Sequence, residues 1–145
     1  MKVVVSACLM GVRCRYDGGE SRNDTALSRQ EGCQLIPVCP EETGGLPTPR
    51  APAEIVGGDG DAVLDGTARV MTEDGIDVTA AFLKGAYHLL QVAQAEGATH
   101  VLLKARSPSC GCGTIYDGTF SGTLTAGDGV TTALLKRHGI TVISA

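Results

Sequence analysis

Apolar residues along this chain gather into short unbroken runs separated by longer, amphipathic or glycine-rich stretches. Val3-Val4-Val5, Leu35-Ile36-Pro37-Val38, Val101-Leu102-Leu103 and the segment from Ile140 to Ser144 lack the apolar–polar alternation of a half-exposed strand. The first run suits a strand covered on both faces, and the four segments predict strands over 2–7, 34–38, 99–104 and 140–144. Helical spacing fills the gaps. A short helix is expected from about Asn23 to Glu31, capped by Asn23 or Asp24 and stopped by Gly32. The longest helix is expected from Val78 to Glu96, with Asp77 as cap and Val78, Phe82, Tyr87, Leu89 and Val92 on its apolar face. A third helix over 129–138 ends at Gly139.

Residues 40–60 contain four prolines and five glycines and read as an ordered loop. Ala62-Val63-Leu64 and Thr67-Ala68-Arg69-Val70 flank Asp65-Gly66, a two-residue hairpin signal. Residues 105–129 form a second glycine-rich loop. The resulting order β-α-β-hairpin-α-β-α-β predicts a single α/β domain over 1–145. Its architecture is expected to be a Rossmann-like three-layer sandwich with a mainly parallel sheet of about four strands plus a β-hairpin.

Composition narrows the function. The 145 residues are 43% hydrophobic and 19% charged, with a net charge of −4, so the chain can bury a core and carries no basic field for nucleic acid. No apolar run approaches the ~18 residues of a membrane span, and the short apolar run after Met1-Lys2 is expected to be a strand rather than a secretory leader. The expected location is the cytoplasm, where thiols stay reduced and six cysteines point to metal or catalytic use rather than disulfides. Tyr16, Tyr116 and Phe120 stand in glycine-rich loops, which suits a ligand pocket better than a core.

Three cysteines closely follow the first three strand runs: Cys8, Cys39 and Cys110. In a parallel sheet their thiols would share the carboxyl-end rim, where open α/β folds bind ligands. The histidines give no support, since His88 lies inside a helix, His100 starts a strand at the other rim and His138 closes a helix. An all-thiolate, histidine-free set favours an iron–sulfur site with one position left open. A catalytic zinc, thiol redox chemistry and plain burial remain open on spacing alone. Cys33 is expected in the core, and Cys14 and Cys112 as spare loop thiols near the crevice. Glu41 and Glu42 follow Cys39, and either could act as a general base or be a solvated charge. Ser107 and Ser109 could hold a substrate oxygen, relay a proton or merely satisfy loop backbone. Lys104, Arg106 and Arg50 could neutralise cluster and substrate charge. Gly127-Asp128-Gly129 before a helix lacks the preceding strand and following Lys of a nucleotide loop.

Four blocks together resemble one family. They are Cys8-Leu9-Met10-Gly11 with Arg15-Tyr16-Asp17-Gly18-Gly19, Val38-Cys39-Pro40-Glu41 with Gly44-Gly45-Leu46-Pro47-Thr48-Pro49-Arg50, Leu103 to Gly111, and Ile115 to Gly122. In these the chain is similar, nearly end to end, to the TudS-type thiouracil desulfidases, in their standalone short form. The resemblance implies a [4Fe–4S] cluster on Cys8, Cys39 and Cys110 whose fourth iron binds the substrate sulfur. It implies Glu41 and Ser107 as catalytic residues and conversion of 2-thiouracil, a thiolated pyrimidine, to uracil and hydrogen sulfide without net redox change. The rival readings are a non-catalytic iron–sulfur or zinc sensor and a thiol redox protein. Oligomeric state is not legible.

Overall fold

Four parallel strands form the centre of a computed structural model that describes residues 1–145. They are β1 (Lys2–Ser6), β2 (Gln34–Val38), β5 (His100–Leu103) and β8 (Thr141–Ser144), in the order β2-β1-β5-β8. Val3 pairs with Leu35 on one side and His100 on the other. The apolar runs of the two central strands are buried on both faces, whereas the edge strands β2 and β8 are mostly half-buried or exposed. Val4, Val101 and Leu103 face one core, Val3, Val5 and Leu102 the other, and all six are buried.

The thicker layer contains α4 (Thr79–Ala95) and α5 (Val130–Arg137), which pack Phe82, Ala86, Leu89, Val130 and Leu135 against the sheet. Asp77 Oδ1 accepts from the Thr79 amide at the start of α4. Tyr87 does not join the apolar face and is exposed. Five residues beyond Phe82, it lies about 140° around the helix from it. The opposite layer is thin: α1 (Asp24–Ser28), a 3₁₀ turn over Ala7–Met10, and the loop that carries Cys14. Asn23 caps α1 by accepting from the Ala26 amide, but the helix is half the predicted length.

The middle of the chain departs from expectation. Residues 62–64 belong not to a hairpin strand but to α3 (Gly60–Leu64), whose cap Asp59 accepts from the Ala62 amide. Asp65-Gly66 closes that helix, with Gly66 in the left-handed region at φ +81°. Asp-Gly thus serves as a helix stop here, a role for which glycine is equally suited. The antiparallel pair consists instead of β3 (Ala53–Val56) and β4 (Arg69–Thr72), with α3 between them. The 40–60 stretch therefore holds a strand, and also α2 (Pro40–Thr43) immediately after Cys39. The 105–129 loop contains a second hairpin, β6 (Thr114–Tyr116) with β7 (Leu124–Ala126). No helix is long and apolar enough to cross a membrane.

Two contacts between elements fix the rim of the sheet. A Cβ on Gly85 of α4 would come 1.8 Å from the Pro40 carbonyl oxygen, so only glycine lets α4 lie directly behind Cys39-Pro40. The start of α5 grips the Cys110 loop. Val130 N donates to Pro108 O (2.8 Å), Thr131 N to Ser109 O (2.9 Å) and Thr132 Oγ1 to Cys110 O (2.9 Å).

Candidate active site

Chain order moves from β1 out to β2, then back past β1 to β5. The carboxyl ends of β1 and β5 therefore flank the point where the sheet changes direction, the usual ligand crevice of such folds. A cavity of about 550 Å³ opens there, within the range of small-molecule sites. Cys8, Cys39, Cys110, Glu41 and Ser107 all line it. So do Tyr16, Tyr116 and Phe120, the loop aromatics, and the cations Arg15, Lys104 and Arg106.

Each sulfur is set by its local turn. Cys8 lies in the 3₁₀ turn that ends β1, where its carbonyl accepts from Gly11 N and Ser21 N. Cys39 precedes Pro40, whose fixed φ starts α2. Cys110 follows a turn built on Ser107, whose Oγ accepts from the amides of Ser109 (3.0 Å) and Cys110 (3.1 Å). That hydroxyl keeps its own hydrogen for donation into the cavity. All six cysteines are free thiols. Burial pushes the Cys110 thiol up to about 12. Its hydrogen bond with Cys14, reinforced by burial, holds Cys39 well above the ordinary thiol range. The corresponding bond from Cys14 outweighs burial at Cys8 and lowers it.

Cys14 is thus not a spare loop thiol. It is buried between Cys8 and Cys39. The bond to Cys39 lowers its own thiol, but the bond to Cys8 and burial prevail and leave it at about 11. Cys14, Cys39 and Glu42 have the only ligating atoms that converge within 4.8 Å of one another. One zinc ion with bonds of ~2.3 Å to sulfur would draw its ligands together in that way. Cys8, Cys39 and Cys110 form no such tight group; an all-thiol set spread around a cavity and free of imidazole fits a multi-iron cluster instead. Cys33 packs against the second core, as expected, and Cys112 does not line the cavity.

The two glutamates diverge. Glu41 faces the cavity and its Oε2 accepts from Arg50 Nη2 at 2.8 Å. Arg50 is almost wholly buried and also donates to the carbonyls of Cys14 and Pro47. It therefore lies behind Glu41 and outside the cavity, as a support rather than a substrate cation. Glu42 turns the other way, accepts from Thr48 Oγ1, and lines a smaller cavity of about 250 Å³ with His88 and Cys39. Sequence reasoning missed Ser6, a lone hydroxyl at the end of the Val3-Val4-Val5 run. It is buried and accepts from Lys104 N at 2.9 Å, tying β1 to the end of β5 at the rim. Burial lowers the Lys104 ammonium below its usual range.

Known proteins show which family the chain is similar to. A family model described as 2-thiouracil desulfurase matches residues 3–145. An uncharacterized protein of Bacillus subtilis (strain 168), YbbK, is 47% identical over 142 residues, spanning 98% of this chain and 94% of its own. A solved structure described as the [4Fe-4S]-dependent thiouracil desulfidase TudS superposes with a TM-score of 0.85 at 48% identity. That match covers 99% of this chain and 89% of the other.

Proposed function

The chain belongs to the 2-thiouracil desulfurase family, and from that premise we propose that it is a [4Fe–4S]-dependent desulfidase that converts 2-thiouracil to uracil and hydrogen sulfide. One observation carries the reading: a single cavity at the switch point is lined by three strand-end thiols, a carboxylate and a hydroxyl. Cys8, Cys39 and Cys110 would hold the cluster as thiolates. Held by these three protein ligands, the cluster would supply a Lewis acid for the thiocarbonyl sulfur.

The residues around it perform the proton chemistry. Glu41, aimed by Arg50, takes a proton from the water that adds to C2 of the pyrimidine. The adduct collapses to a C2 carbonyl with cleavage of the C–S bond, and the hydroxyl proton and the proton held by Glu41 both leave with the sulfur as H₂S. Substrate and water give uracil and H₂S, so no electrons are required. Ser107 donates its free hydrogen to a polar edge of the ring, and Tyr16, Tyr116 and Phe120 offer faces on which the ring packs. The partner is a small thiolated pyrimidine, and the single domain works in the cytoplasm, where its free thiols persist.

Serine variants test the ligand set. Cys8→Ser, Cys39→Ser and Cys110→Ser each lose the brown cluster absorbance and desulfidation after anaerobic reconstitution, whereas Cys33→Ser and Cys112→Ser keep both. The tight Cys14, Cys39, Glu42 group supports one competing reading, a single zinc ion. Stoichiometric zinc that is lost in Cys14→Ser but retained in Cys110→Ser would favour it over the cluster.

A further inference from the structure

The β6–β7 hairpin lies outside the central sheet. Ile115 is buried at its base, but every residue of β7 is exposed. Its tip, 117–123, nevertheless keeps a defined shape. Asp117 Oδ1 accepts from Thr119 N and Oγ1, Thr119, Ser121 and Thr123 form a chain of hydroxyls, and Asp117 N donates to Thr123 O. These bonds all stay inside the tip. Every hydrogen bond that leaves it ends on one atom, Glu54 Oε1, which accepts from Gly118 N at 2.9 Å and Phe120 N at 3.3 Å.

Backbone geometry at the tip fits that attachment. A Cβ on Gly118, which has φ +89°, would come 2.5 Å from Ile55 O, so the tip lies directly on β3. Phe120 is held at φ +56°, a left-handed conformation uncommon for an aromatic residue. Phe120, Tyr116 and Glu54 all line the main cavity. The β3–β4 insertion contributes no strand to the central sheet, yet it supplies the carboxylate that fastens this aromatic wall.

We propose that Glu54 is a positioning residue for substrate, which holds the 117–123 loop over the cavity so that Phe120 packs on the bound ring. This rests on the desulfidase reading. Because the loop contributes none of the residues assigned to proton transfer, releasing it weakens substrate binding and leaves the chemical step intact, the pattern of lost uniform binding.

The test uses cluster-loaded enzyme with 2-thiouracil. Glu54→Ala raises KM about tenfold or more with kcat within about twofold of the parent. Iron content and melting temperature stay at parent values, and amide hydrogen exchange accelerates in the peptide spanning 117–123. Glu54→Gln, which keeps a carbonyl oxygen in place, restores KM and exchange toward the parent. Phe120→Asn tolerates the left-handed backbone, so it raises KM while loop exchange remains parental. The proposal is overturned if Glu54→Ala leaves loop exchange unchanged, or if it lowers kcat with KM unaltered. The exchange measurement does not depend on turnover. If the parent failed to act on thiouracil, the desulfidase reading would fall, while the exchange result would still decide whether Glu54 holds the loop.

Discussion

Among single residues, the pair after Cys39 separates most sharply. Glu41 and Glu42 are indistinguishable in the sequence, and only the first turn of α2 sends one into the main cavity and the other to its own side of the rim. Glu41→Gln is expected to retain cluster spectra and thiouracil binding while turnover falls by roughly 10²-fold or more, the scale of a positioned general base. Glu42→Gln should turn over like the parent. Hydrosulfide release at matched iron content checks both, and a dead Glu42→Gln beside an active Glu41→Gln would move the catalytic assignment by one residue. Three of the residues that shape the rim were hard to read in advance for physical reasons. Arg50 has the composition of a surface cation but is buried against Glu41. Cys14 looks like a loop thiol, yet the 3₁₀ turn folds it back between Cys8 and Cys39. Ser6 differs from its apolar neighbours by one hydroxyl.

Elements were legible where burial alone decides them. The two central strands, β1 and β5, are apolar on both faces because helices and turns cover both, and that signature needs no partner to be recognised; the edge strands β2 and β8 are partly exposed and were legible from their apolar residues alone. The insertion was not legible because its signals are shared between structures. Asp-Gly suits a hairpin turn and a helix end alike, and β3 lies hidden after four prolines. Two contacts between elements make testable claims. Gly85→Ala drives a methyl group into Pro40 O and is expected to cost about 1–3 kcal/mol, as other overpacked sites do, with loss of cluster occupancy through displaced Cys39. Thr132→Val removes the bond to the Cys110 carbonyl inside a buried contact. It should cost about 1–3 kcal/mol, the range for an unsatisfied buried acceptor. Denaturant unfolding and iron content measure both effects, and parent-like values in Gly85→Ala would mean that α4 does not set the position of Cys39.

For the molecule as a whole, cluster binding and stability are linked through the thiols. Without the cluster, Cys14 at about 11 and Cys110 at about 12 hold protons in the folded state that an unfolded chain would release near 9. Their contribution is present in full below pH 9 and is lost as pH rises from 9 toward 12. Thermal unfolding of cluster-free protein should therefore show a melting temperature that falls over that window. A flat profile would show that these thiols are not buried as described. The fold, the shared rim and the three strand-end cysteines could be read from sequence because all three follow from one parallel sheet; the loop that closes the cavity could not, because it depends on a carboxylate 64 residues away. The central claim is a desulfidase that needs an iron–sulfur cluster and no electrons. Its most direct test is anaerobic incubation of protein loaded with about four irons per chain with 2-thiouracil and no reductant, followed by quantitation of uracil and hydrosulfide. Equal amounts of both, produced over many turnovers, are predicted; intact substrate, or turnover only when an electron donor is added, would contradict the account.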